Sequence, residues 1–111
     1  MIIDFLCVLV YTYTVRLDNS IEFLWDKANV DKNQLKHQVS ASESEEVFYD
    51  DNKITIKDIL HSDKEERFIV LGKTKKSRLL FIAYTKRNRK IRIISARDTD
   101  KKEKKLYEEN A

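Results

Sequence analysis

The twenty residues from Arg78 to Arg97, R-L-L-F-I-A-Y-T-K-R-N-R-K-I-R-I-I-S-A-R, constrain the fold more than any other stretch. Leu79 to Thr85 and Lys90 to Ala96 are rich in aliphatic, aromatic and β-branched residues, and a basic Lys-Arg-Asn-Arg-Lys run divides them. That pattern predicts a β-hairpin with Asn88 as the turn residue. A turn centred on Asn88 pairs Tyr84 with Arg92, Ile82 with Ile94 and Leu80 with Ala96 on one face. Phe81 with Ser95 and Ala83 with Ile93 then share the other. Apolar residues on both faces place the hairpin at the centre of a larger sheet, with its charges collected near the ends.

Charge is segregated along the chain. Arg67 to Arg97 holds eleven Lys or Arg and no Asp or Glu, whereas Ser40 to Glu66 holds nine acids and three bases. The overall charge of +3 conceals this contrast. Lysines of a small domain often serve only solubility, but a block of this density fits a phosphate-bearing partner.

At 111 residues the chain is one domain with a single core. One cysteine, Cys7, rules out an internal disulfide and a cysteine-based metal site, as suits a reducing cytoplasm. Residues 1–15 are mostly apolar, but the unbroken run Phe5 to Tyr11 is too short to span a bilayer and lacks signal-peptide flanks. They are expected to be an N-terminal extension, residues 1–20, forming an extra strand or arising from an early start, ahead of a domain at residues 21–111. No membrane association is expected.

Along that domain, Ile21 to Trp25 reads as a first short strand and Asp26 as the N-cap of a polar helix to His37. Ser40 and Glu43 have capping-box spacing for a second helix to about Phe48. Lys53 to Ile59 alternates like a half-buried strand, His61-Ser62-Asp63 interrupts it, and Arg67 to Lys73 is a buried strand ended by Gly72 and a Lys-Lys-Ser turn. Asp100 and Glu103 cap a last helix to about Glu109, with Leu106 and Tyr107 inward. The expected class is therefore α+β: an antiparallel meander with helices gathered on one side.

The chain has no glycine-rich phosphate loop, nucleophile elbow or metal-ligand spacing, so neither metal nor cofactor is expected. The chemistry-bearing residues that remain are His37, His61, Glu65, Glu66, Arg67, Tyr84, Arg92, Arg97 and Tyr107. They are the types a metal-free ribonuclease uses: a base at the 2′-hydroxyl, cations at the phosphorane oxygens and an acid at the 5′-oxygen. Each also has a plainer role, such as helix-end charge for His37, a surface ion pair for Glu66 and Arg67, or stacking of Arg92 on Tyr84.

Five separated segments together resemble the BrnT family of bacterial toxins: I-E-F-L-W-D, L-K-H-Q-V-S, E-V-F-Y-D, H-S-D-K-E-E-R-F and R-I-I-S-A-R, followed by Glu103 and Tyr107. The order and spacing agree over residues 21–109. The resemblance implies a RelE-like domain: a curved antiparallel sheet of about four strands, two N-terminal helices and one C-terminal helix. It implies an endoribonuclease toxin of a type II toxin-antitoxin module, cytoplasmic and growth-inhibiting, acting on RNA. Its partner would be a BrnA-like ribbon-helix-helix antitoxin, in a hetero-oligomer that meets operator DNA only through that antitoxin. The positions it marks are Lys36, His37, His61, Glu66, Arg67, Arg92, Ser95, Arg97 and Tyr107. Taken with the residue reading, His61, Glu66, Arg67, Arg92 and Arg97 are the expected catalytic group, and Lys36, His37, Tyr84, Lys86, Ser95 and Tyr107 the expected RNA contacts. The chain departs from the family where Gln38 and Lys27 replace the usual glycine and proline, and where residues 1–20 have no counterpart. A non-catalytic RNA-binding domain, or a degenerate toxin that only binds its antitoxin as a corepressor, are the alternatives.

Overall fold

The computed structural model describes residues 21–59 and 65–110. The expected extra strand within residues 1–20, and His61, lie outside the described residues. The elements are β1 (Phe23–Leu24), α1 (Lys27–His37), α2 (Ala41–Val47), β2 (Ile54–Lys57), β3 (Arg67–Lys73), β4 (Leu79–Arg87), β5 (Lys90–Asp98) and α3 (Lys101–Asn110). The strands form one sheet of order β1-β5-β4-β3-β2. β2 to β5 are the antiparallel meander that the short turns impose, and the hairpin β4-β5 occupies its middle. To the expected sheet of about four strands β1 adds a fifth, which pairs in parallel with β5. This α+β arrangement is the class expected from the sequence. No helix among the described residues is long and apolar enough to cross a membrane.

The hairpin register differs from the expected one. The turn consists of Asn88 and Arg89, both at positive φ (50° and 71°), as a two-residue type I′ connection requires. Tyr84 therefore pairs with Ile93, and Arg92 pairs with Thr85. A bulge beside Ala83 and Tyr84 then shifts the register again, so that Ala83 meets Ser95 and Phe81 meets Arg97. Because side chains alternate faces, this one-residue slip puts Tyr84 and Arg92 on opposite sides of the sheet.

One face carries Phe68, Val70, Leu80, Ile82, Tyr84, Ile91, Ile93 and Ala96, which with Val39, Val47 and Phe48 make the core. Each fully buried aliphatic side chain there contributes about 1.5–3 kcal/mol. α1 and α2 lie on this face, and Phe48 bridges Phe23 and Tyr84 by edge-on ring contacts. α2 crosses β3 so closely that a Cβ on Gly72 would come within 2.8 Å of Val47 Cγ1. Only glycine fits that crossing.

Both predicted caps form. Asp26 accepts from Asn29 N at 2.8 Å, and Ser40 and Glu43 make the reciprocal capping box. At the far end of α1, Gln38 sits in the left-handed region at φ 56°, the position for which glycine is suited. Gln38 N and Val39 N bond back to Gln34 O and Asn33 O, and Arg78 Nη1 donates to Gln38 O at 2.9 Å.

Among the described residues the short β1 pairs with only part of β5, and α1 lies along the rest of that edge. Asn29 Nδ2 donates to Ile93 O at 3.3 Å and Asn33 Oδ1 accepts from Ala96 N at 3.2 Å, so two asparagines one helical turn apart continue the ladder beyond β1. This explains why α1 has almost no apolar stripe yet packs against the sheet: it is held by amides.

Candidate functional site

The face opposite the core is where the predicted arginines gather. The register places Arg67, Thr85 and Arg92 side by side across β3, β4 and β5, and Arg97 opposite Phe81 further along the same face. Ser95 lies between them, opposite Ala83. Two strand spacings, about 10 Å, separate the backbones of Arg67 and Arg92. Arg97 stands about 15 Å along β5 from Arg92.

Their environments differ. Arg92 pairs with Asp26 Oδ2 at 3.5 Å, longer than a good charged hydrogen bond, and its charge also helps Arg87 hold the Glu65 carboxyl below the usual carboxylate range. Arg97 is gripped: both its terminal nitrogens donate to Glu103 at 2.9 Å, Nη1 also donates to Asp98 O, and its guanidinium stacks 3.9 Å from the Phe81 ring centroid. Glu103 raises the Arg97 pKa, so the pair stays ionised. The Asp100–Glu103 cap at the start of α3 aims Glu103 at Arg97, since the same carboxylate also accepts from Asp100 N at 2.9 Å. α3 thereby meets the arginine-bearing face, whereas the sequence suggested that all helices gather on one side.

Strand alternation sends the predicted neighbours Glu66 and Arg67 to different sides. Arg67 lies on the face opposite the core, while Glu66 is at the rim of the core face, bonded to Lys57 Nζ at 2.9 Å. Lys57 holds the Glu66 carboxyl below the usual carboxylate range. Lys86 is on that rim too, its Nζ 5.5 Å from the Phe68 ring centroid. Glu65 turns instead to Arg87, which takes both of its oxygens at 2.9 and 3.1 Å.

Other predicted contacts are spread more widely. Tyr84 is 4% exposed, stacked on Phe68 and edge-on to Phe48, so its ring is a core element without a face for a base. This corrects the expected stacking of Arg92 on Tyr84: the turn length puts them on opposite faces. Tyr107 donates to Asp50 Oδ2 at 2.6 Å, and burial together with that bond pushes its pKa up to about 12. A hydroxyl so held is a poor proton donor near neutrality. Lys36 and His37 close α1, with His37 near Asp98 at the far end of β5 from Arg92.

Three residues outside the expected set shape the site. Glu103 neutralises Arg97, Asp26 faces Arg92, and the buried Thr85 hydroxyl between Arg67 and Arg92 has no hydrogen-bond partner. The sequence signal for Thr85 was its place in the hairpin, but only the true register reveals its neighbours. A cleft of about 860 Å³ lies elsewhere, lined by Glu45, Glu46, Tyr49, Asp50 and Lys73 among others, and its carboxylates make it unsuited to a polyanion. Among the described residues no three of His, Cys, Asp and Glu are grouped as a metal site.

Residues 25–103 match the family model for the ribonuclease toxin BrnT of type II toxin-antitoxin systems. The fold is similar to the crystal structure of the Brucella abortus ribonuclease toxin BrnT, with a TM-score of 0.56 and 13% identity. That match covers 74% of this chain and 100% of the Brucella chain. No curated protein sequence matches the chain.

Proposed function

This chain belongs to the BrnT family of ribonuclease toxins of type II toxin-antitoxin systems, and we propose that it is a cytoplasmic, metal-independent endoribonuclease whose domain is residues 21–111. The observation that carries the reading is the row Arg67-Thr85-Arg92 on the sheet face that α1 and α2 leave uncovered. Two guanidinium groups about 10 Å apart at their roots can converge on one phosphate between them.

The reaction asks little else of the protein. A base removes the 2′-hydroxyl proton, the 2′-oxygen attacks phosphorus, and the bond to the 5′-oxygen breaks as an acid protonates it. The products are a 2′,3′-cyclic phosphate and a 5′-hydroxyl. Arg67 and Arg92 donate to the non-bridging oxygens, where charge grows most in the transition state. Of the two expected proton carriers, His61 is assigned the proton steps; Glu66, bonded to Lys57 at the core-side rim, is not placed to reach a phosphate held by Arg67 and Arg92. Arg97, Ser95, Lys36, His37 and Lys86 extend the contact with RNA, and Arg97 exchanges Glu103 for phosphate when a strand is bound. Neither Tyr84, enclosed in the core, nor Tyr107, engaged with Asp50, is given an RNA contact.

The partner is a BrnA-like ribbon-helix-helix antitoxin that covers the same face with complementary acidic residues, and operator DNA is met only through it. The purified toxin is expected to cut an oligoribonucleotide in excess EDTA as fast as without it, leaving cyclic phosphate ends. Loss of cleavage in EDTA would refute metal independence, and RNA binding without cleavage under any condition would make this a binding domain instead.

A further inference from the structure

We infer that the turn joining β4 and β5, with Arg89 at its apex, is a second phosphate site, which holds the RNA backbone one step beyond the phosphodiester at Arg67 and Arg92. This rests on the ribonuclease reading and adds to it a surface that the reaction itself does not use. Arg89 is exposed at φ 71°, in the second central position of a two-residue turn that glycine fills best. An arginine there bears a left-handed backbone, and a strained residue of this kind points to a role beyond the local fold. The fold itself supplies no reason for the side chain: among the described residues no carboxylate, carbonyl or ring meets the Arg89 guanidinium.

The neighbours define what can meet it. Arg87 pairs with Lys90 across the hairpin, two residues from the Thr85 and Arg92 pair, so all four lie on the same face. Two residues of strand advance about 7 Å, comparable to the step between phosphates of an extended ribonucleotide strand. Both of these cations are already paired, Arg87 with both oxygens of Glu65 and Lys90 more loosely with Glu22 at 3.8 Å. Lys86 turns to the core face, over the Phe68 ring. Arg89 is thus the cation of the tip that can take an anion without giving up a partner, while Arg87 and Lys90, held in exposed pairs of small net worth, add to the field around it. Cations repeated along a strand suit a line of phosphates, and the block of eleven bases without an acid from Arg67 to Arg97 is the complement of such a line.

The test compares wild type, Arg89→Gly and Arg89→Lys as full chains. Affinity is measured for two uncleavable 2′-O-methyl oligoribonucleotides, a dinucleotide and a longer single strand, over a range of salt concentrations, beside the thermal unfolding midpoint. Glycine completes the favoured Asn-Gly turn, so Arg89→Gly is expected to unfold later than wild type, yet to bind the longer strand roughly three- to tenfold more weakly, with a salt slope shallower by about one. The dinucleotide has one phosphate and reaches only the Arg67 and Arg92 row, so its affinity should not change, and Arg89→Lys should bind both like wild type. Wild-type affinity for the longer strand in Arg89→Gly would overturn the inference and leave the ribonuclease reading intact. So would equal weakening of both oligonucleotides, an Arg89→Lys variant as impaired as Arg89→Gly, or an Arg89→Gly variant that loses only antitoxin binding. Should wild type bind the longer strand but cut no unmodified RNA, the ribonuclease reading fails. Weaker binding by Arg89→Gly then still supports the site at the tip, and equal binding removes it; a wild type that binds neither oligonucleotide removes both.

Discussion

Replacing Arg92 with alanine is expected to slow RNA cleavage at saturating substrate by roughly a hundred- to a thousandfold, the usual effect of deleting one preorganised donor to a developing oxyanion. The fold should scarcely notice. Arg92 is partly exposed, and its carboxylate neighbour Asp26 is 3.5 Å away, an arrangement worth less than about 1 kcal/mol. Arg67→Ala is expected to behave alike, and the double variant to fall short of the product of the two losses, because both side chains act on one phosphate. Arg97→Ala should divide its effect differently, since Arg97 already serves the protein by pinning α3 through Glu103. Single-turnover kinetics alongside thermal unfolding would check this series. Arg92→Ala weakening RNA affinity with an unchanged rate of bond breaking would indicate binding without catalysis.

The second large effect concerns stability. Arg78→Ala is expected to cost about 2–3 kcal/mol, which for a domain of this size lowers the unfolding midpoint by roughly 10–20 °C. Arg78 Nε and Nη2 take both oxygens of Asp98 at 2.8 and 3.0 Å, Nη1 donates to Glu43 at 3.1 Å, and Nη1 and Nη2 reach the carbonyls of Gln38 and His37. One side chain thus ties the end of α1, the start of α2 and the end of β5. Truncation leaves two carboxylates and two helix-end carbonyls without their donor. Lysine should recover only part of the loss, because it lacks the planar fork.

The same network makes stability depend on pH. Arg78 holds the Asp98 carboxyl below the usual carboxylate range, and the Ser40 backbone followed by Arg78 does so for Glu43. A depressed folded-state pKa means that this stabilisation is fully present above the unfolded-state value, about 4, and is lost as pH falls through the folded-state values. Chemical denaturation across pH 2 to 7 is expected to show a smaller acid-side loss for Arg78→Ala than for wild type.

Much of this was legible in the sequence because local signals were strong. The caps at Asp26, Ser40 and Asp100, the meander and the placing of the hairpin all follow from residue type and spacing. The hairpin register was not legible. Asn88-Arg89 lacks the Asn-Gly signature of a type I′ turn, and nothing local marks the bulge that follows Ile93. The two-residue turn decided which side chains share a face near it, and so separated Tyr84 from Arg92 while uniting Arg92 with Thr85 and Arg67. The short strand at Ile21 to Trp25 was legible, but its parallel pairing with β5 was not, because two residues leave almost no pattern of register. The grip of Glu103 on Arg97 required knowing how α3 leaves the sheet.

The most direct test of the proposal that RNA meets the arginine-bearing side of the sheet is to titrate an isotope-labelled toxin with a 2′-O-methyl oligoribonucleotide and follow the backbone amide resonances. The largest shifts are predicted at Arg67, Thr85, Arg92 and Ser95, with Asn29 and Asn33 behind the sheet little affected. Shifts centred on α1 and α2, with that row unmoved, would contradict it.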